Sequence, residues 1–162
     1  MRSFREILVK ARSLGPKKVA IAGKPGEELL EAMLMAEREG IAEAMVCDDA
    51  PAAAGAVRDG QAQILMKGSV DTRDFMQAVL DKANGLCSGR LISHIAVLEA
   101  KGRLMMITDG GICIQPTLEE KIEIIRNALP VAKSLGIDKP KIAVLAAIEK
   151  VGAAIALQAV MA

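Results

Sequence analysis

The stretch Ile64-Leu65-Met66-Lys67-Gly68-Ser69-Val70-Asp71-Thr72 sets the fold class. A short apolar run ends in a lysine, a glycine and hydroxyl or carboxylate side chains, and a helical pattern follows at once. An α/β protein presents polar groups in this way, at the C-terminal end of a buried strand and beside the positive end of a helix, where anions bind. Lys67 would bring charge to such a place, and Gly68 would let backbone come close to a ligand.

The same alternation extends in both directions. Upstream, Ser3-Phe4-Arg5-Glu6 fits a capping box and predicts a helix that closes near Gly15-Pro16. Val19 to Ala22 reads as a buried strand, and a helix is predicted from about Glu27 to Glu39 with Leu30, Met33 and Leu34 inward. Ala44 to Cys47 is the next strand, Pro51 to Asp59 an alanine-rich helix, and Thr72 to Lys82 the helix after the opening stretch. Downstream, Ser93–Glu99 and Leu104–Thr108 are predicted strands joined by the hairpin turn Ala100-Lys101-Gly102-Arg103, so the sheet is expected to be mixed. Thr117-Leu118-Glu119-Glu120 is a second capping box. It opens a helix with Leu118, Ile122, Ile125, Leu129 and Ala132 as its apolar stripe, stopped by Gly136; Lys141 to Leu145 is a further strand. The expected architecture is α/β, a doubly wound, mostly parallel but mixed sheet with helices on both faces.

Composition narrows the function classes. The chain has 162 residues, 52% of them hydrophobic, enough for a substantial core. Its 21 basic and 20 acidic residues leave a net charge of +1, and Phe4 and Phe75 are its only aromatics. A nucleic-acid surface wants a basic stripe with stacking rings, so no nucleic-acid partner is expected. Three scattered cysteines and one histidine, His94, support neither a disulfide framework nor a standard zinc site. No apolar run reaches membrane-span length, and the N-terminus lacks a signal peptide's apolar stretch, so a cytoplasmic protein without membrane partner is expected. Val151 to Ala162 carries no charge and one strongly polar side chain, Gln158; it is expected to be an apolar helix that packs in a core or against something else.

Several motifs have both a bland and a chemical reading. Gly23-Lys24-Pro25-Gly26 lacks the dinucleotide and P-loop patterns, and an ordinary strand-to-helix turn is expected. Cys113, between isoleucines, reads as a small core residue rather than a nucleophile. His94 taken alone reads as a hydrogen-bonded core histidine, and its odd offset from Glu99 puts the two on opposite strand faces. Asp109 could orient a ligand or merely turn the chain, and Lys67 and Arg90 could face a ligand or solvent.

Three segments taken together shift this balance: Ile64 to Thr72, Asn84-Gly85-Leu86-Cys87-Ser88-Gly89-Arg90-Leu91-Ile92-Ser93-His94-Ile95-Ala96-Val97, and Thr108-Asp109-Gly110-Gly111-Ile112-Cys113-Ile114-Gln115-Pro116-Thr117-Leu118-Glu119-Glu120-Lys121. In order and spacing they resemble the phosphate butyryltransferase branch of the phosphate acetyl/butyryltransferase family, as do Ser3 to Glu6 and Ala143 to Val151. The resemblance covers residues 3 to about 151. It implies an enzyme that moves a butyryl or similar acyl group between CoA and orthophosphate, on the first lobe of a fold similar to isocitrate dehydrogenase. It implies no metal and no cofactor, with CoA as substrate, and a homo-oligomer. It further implies Arg90, His94 and Asp109 as catalytic residues, and Lys67, Gly68, Ser69, Thr72 and Ser93 as residues binding phosphate or CoA.

The chain departs from the family pattern in three places. Material usually found between Asp48 and Pro51 is almost missing, Cys113 stands where relatives commonly carry asparagine, and the Ser-Arg pair of the second lobe is absent. The expected division is therefore a lobe over residues 1–151 and an apolar helix over 152–162 that begins, or is a fragment of, a missing second lobe. The chain would be a truncated protein or the ordered parts of a longer polypeptide joined together; the second is expected, because Asp49-Ala50-Pro51 looks too abrupt for a clean loop. Two rivals to the butyryl reading are a related phosphate acetyl- or propanoyltransferase and a non-catalytic lobe that binds CoA or phosphate.

Overall fold

The computed structural model describes residues 1–145 and 158–161. Its elements, in chain order, are α1 (Phe4–Ser13), β1 (Lys17–Ala22), α2 (Glu27–Arg38), β2 (Ala42–Cys47), α3 (Ala50–Arg58), β3 (Ile64–Lys67), α4 (Thr72–Leu80), β4 (Ala96–Ala100), β5 (Arg103–Thr108), α5 (Leu118–Ser134), β6 (Ile142–Leu145) and β7 (Gln158–Met161). They form two compact units, Leu8–Gly89 and Met1–Ile7 with Arg90–Ala162. The chain is α/β, as its alternation predicts, but the mixed sheet resolves into one parallel and one antiparallel sheet.

In the unit Leu8–Gly89, three parallel strands lie in the order β2-β1-β3. The central strand β1 is buried on both faces, because successive side chains alternate. Val19 and Ile21 pack with Met33, Leu29 and Ala36 of α2, while Ala20 and Ala22 pack against Ala50, Ala53 and Ala56 of α3. Alanine on both surfaces allows α3 to come close, and Phe75 and Ala78 of α4 complete that layer. Full burial of a side chain such as Ile21, 1% exposed, contributes about 1.5–3 kcal/mol. Leu30 and Leu34, expected inward, are 49% and 46% exposed; Met33 alone of the three is buried. The turn from β2 to α3 is also more regular than its sequence suggests. Asp49 caps α3 by accepting from the N–H of Ala52 at 2.8 Å.

The second unit holds an antiparallel sheet in the order β4-β5-β7-β6. β4 and β5 form the expected hairpin, with Ala100 opposite Arg103. Its two turn residues, Lys101 and Gly102, both have positive φ (50° and 70°), as the twist of a two-residue hairpin demands. Leu104 and Met106 of β5 are buried against Ala128 and Ala132 of α5, with Leu135 beyond it, and Met1 and Ile7 pack on this cluster. The capping box predicted for α5 is present: Thr117 Oγ1 accepts from the Glu120 N–H, and the Glu120 carboxylate accepts from the Thr117 N–H. The buried residues of α5 are Ile124, Ala128 and Ala132; of the expected stripe Ala132 is buried, while Leu118, Ile122 and Leu129 are exposed. Within the tail expected to be an apolar helix, Gln158–Met161 is a strand paired with both β5 and β6. The boundary expected at residue 151 and residues 152–157 lie outside the described residues.

Candidate functional site

In the first unit, β1 and β3 are neighbours whose connections leave in opposite directions, β1 toward β2 and β3 from the far side. Such a switch point opens a crevice beyond the carboxyl ends of the strands. The Lys67 segment lies there. The Gly68 N–H donates to Ala22 O at 2.9 Å and the Ser69 N–H to Lys24 O at 3.0 Å, which ties the segment to the Gly23–Gly26 turn. A Cβ on Gly68 would fall 2.7 Å from Ala22 O and 2.8 Å from Gly23 O, so this close approach requires glycine. Together Gly26 to Leu29 and Lys67 to Ser69 line an open groove of about 480 Å³.

The charges in this groove differ from the expected anion site. Lys67 Nζ donates to Val70 O at 2.9 Å, leaving two ammonium hydrogens for a ligand. The N-terminus of α4 is already served by the Asp71 carboxylate, which accepts from the Arg73 N–H at 2.7 Å, and Thr72 is the exposed first residue of that helix. Glu27 and Glu28 sit in the first turn of α2 and line the groove opposite the single lysine charge. Hydrogen bonding to a polar ligand, more than net positive charge, is what this groove offers.

In the second unit, a loop precedes β4, so Ser93 and His94 stand before the strand and not on it as expected. Two anchors hold this loop. The first is Asp109, buried at the end of β5 with 6% exposure. Its carboxylate accepts from the N–H groups of His94 (3.0 Å), Gly111 (2.7 Å) and Ile112 (2.9 Å). Burial pushes the carboxyl pKa up, but the N–H bonds from Gly111, Ile112 and His94 together outweigh it, and the group is held below the usual aspartate range. Thr108 Oγ1 donates to His94 O at 2.7 Å, and the His94 ring is exposed beside Gly110.

The second anchor is Asn127 on α5. Its Nδ2 donates to Leu91 O at 2.8 Å and to Ser93 Oγ at 3.0 Å, while its Oδ1 accepts from the Arg90 guanidinium at 2.9 Å. Glu123, one turn earlier, lies 3.7 Å from the same guanidinium, with its carboxyl held low first of all by the Arg126 hydrogen bond. The structure therefore brings together Arg90, Ser93, His94 and Asp109 through Asn127 and backbone. Sequence reading missed Asn127 and Glu123. The one available signal was an asparagine in a helix interior, where it is a poor helix former unless it has a tertiary partner.

Cys113 donates to Ile92 O at 3.6 Å; burial first, then the Asp109 charge, push its thiol pKa up, so it is no thiolate nucleophile near neutral pH. Among the described residues, no group of three or more His, Cys, Asp or Glu side chains is placed to hold a metal ion.

Residues 6–158 match the family described as phosphate acetyl/butaryl transferase. The chain belongs to that family. A phosphate butyryltransferase of Clostridium acetobutylicum is 35% identical over 180 residues, covering 92% of this chain and 60% of that protein. A second, from Clostridium beijerinckii, is 33% identical over 181 residues, and a phosphate acetyltransferase of Thermotoga maritima is 34% identical over 179. The chain spans about 60% of the length of each of these relatives. Within the phosphate acetyl/butaryl transferase family, identity thus places this chain about equally near its butyryl and acetyl members.

Proposed function

We propose that this chain forms the first lobe of an acyl-CoA:phosphate acyltransferase that moves a butyryl or similar acyl group between CoA and orthophosphate. The observation that carries the reading is the loop Arg90–His94, anchored by Asn127 and Asp109 in a chain of this family, with its guanidinium half exposed. A phosphate oxygen attacks the thioester carbonyl carbon, negative charge gathers on the carbonyl oxygen, the C–S bond breaks, and the CoA thiolate leaves and takes up a proton. Holding phosphate in place and stabilising the oxyanion supply most of the acceleration such a reaction needs. In this reading Arg90 offsets the phosphate charge, Ser93 and His94 donate hydrogen bonds, and Asp109 positions the loop. Lys67, Gly68, Ser69 and Thr72 bind substrate in their own unit.

The reaction as proposed uses no metal, and CoA enters as substrate. A cytoplasmic homo-oligomer without nucleic-acid or membrane partners belongs to the same reading. The homo-oligomer is supported by exposed Ile142, Val144 and Leu145 on β6, which suit contact with further protein.

Thiol release from a panel of acyl-CoA thioesters with orthophosphate tests the proposal on the intact protein. Fastest release from butyryl-CoA is expected. A preference for acetyl- or propanoyl-CoA moves the chain to a neighbouring specificity, and folded protein that releases no CoA refutes the enzyme and leaves a binding lobe. Arg90→Ala is expected to lower turnover at least about a hundredfold, the usual scale for loss of a charged group that stabilises a transition state; unchanged turnover removes Arg90 from the site.

A further inference from the structure

We infer that Asn127 is a positioning residue that presets the Arg90–Ser93 pair as a cradle for a phosphoryl dianion, by forcing the Ser93 hydroxyl to act toward the ligand as a donor. The inference rests on the acyltransferase reading of this loop and names the group within it that binds phosphate.

The orientation of the Asn127 amide is decided twice over. Leu91 O is an acceptor only, so the amide nitrogen must face it; the Arg90 guanidinium is a donor only, so the amide oxygen must face that. The second amide hydrogen then goes to Ser93 Oγ at 3.0 Å. Ser93 therefore spends a lone pair on Asn127, and among the described residues its own hydrogen meets no protein acceptor. Arg90 is fixed at one nitrogen while its side chain is 53% exposed, which leaves further N–H groups for an anion. A guanidinium and a hydroxyl donor, both held in place before binding, match the acceptor-only oxygens of phosphate. Asn127 itself is half-buried and holds the pair from behind, so it acts through these groups.

Asn127→Asp keeps the shape and inverts this chemistry. An aspartate offers no hydrogen to Leu91 O, accepts the Ser93 hydrogen, and ties Arg90 as an ion pair. Titration calorimetry of orthophosphate into the intact protein tests the inference, with thermal midpoints confirming that each variant folds. Asn127→Asp is expected to weaken phosphate binding about tenfold or more, the scale of one charge-assisted hydrogen bond. Ser93→Ala is expected to weaken it as well, and the double variant to lose less than the product of the two, because both act on one hydroxyl. Should Asn127→Asp not fold, Asn127→Ala carries the same comparison. Unchanged affinity in the Asn127 variant, fully multiplicative losses, or no phosphate binding by the wild type would each overturn the inference. Protein that binds phosphate in the expected way yet releases no CoA refutes the transferase reading alone.

Discussion

Asp109 accepts three backbone N–H groups with two oxygens at 6% exposure, so its charge organises a loop instead of facing water. Asp109→Asn replaces one acceptor oxygen with an amide NH2, a donor that must face backbone donors. Leaving a buried donor unsatisfied costs about 1–3 kcal/mol, and differential scanning calorimetry should show the lower midpoint at neutral pH. The pH dependence follows from the depressed folded pKa. The carboxylate's contribution is complete above the unfolded aspartate value, about 3.9, and is lost as pH falls through the lower folded value. Wild-type and variant midpoints should therefore converge in acid, and a gap that persists there would show that the carboxylate charge is not what Asp109 contributes. At this scale Arg90, Ser93, His94 and Asp109 stood out as candidates through the family resemblance of the segments that carry them; taken alone, Arg90, His94 and Asp109 each had a bland reading as well. Asn127 did not stand out, since it lies 36 residues from Leu91 and 37 from Arg90 along the chain.

Elements carry two further tests. Gly68 sits where β3 turns toward α4, and a Cβ there would meet two backbone carbonyl oxygens closer than van der Waals contact permits. Neither oxygen belongs to a flexible side chain, so Gly68→Ala should cost about 1–3 kcal/mol, as overpacking of a tight site does; a denaturant midpoint equal to wild type would refute the close approach. Thr117→Ala removes one half of the α5 capping box. About 1 kcal/mol of stability should be lost, and a larger part should return with Thr117→Ser than with Thr117→Gly if the hydroxyl is the cause. Helix ends such as this one were readable because a cap is a contact between residues three apart. Most of the buried face of α5 was not, Ala132 being the one residue of the expected stripe that is buried. Apolar residues surround that helix, and Leu104 and Met106 of β5 select Ile124, Ala128 and Ala132 from among them.

The chain passes between its two units at Ile7–Leu8 and at Gly89–Arg90, the second crossing being an irregular stretch where Cys87, Ser88, Gly89 and Arg90 are all exposed. Boundaries of this kind are where proteases cut first. Limited trypsin digestion should cleave early after Lys82 or Arg90, with mass spectrometry finding fragments that end there; first cuts inside β1 or α5 would contradict the division. The sequence by itself determined the alternation of strands and helices, the hairpin and the capping box of α5. Each of these depends on neighbours a few positions apart, whose periodicity and turn chemistry are written locally. Only the tertiary structure decided that parallel and antiparallel strands belong to separate sheets, that Gln158–Met161 pairs between β5 and β6, and that Asn127 stands behind Arg90 and Ser93. Those outcomes join residues far apart in the chain, where the choice of partner depends on which surfaces bury together and which donors find acceptors.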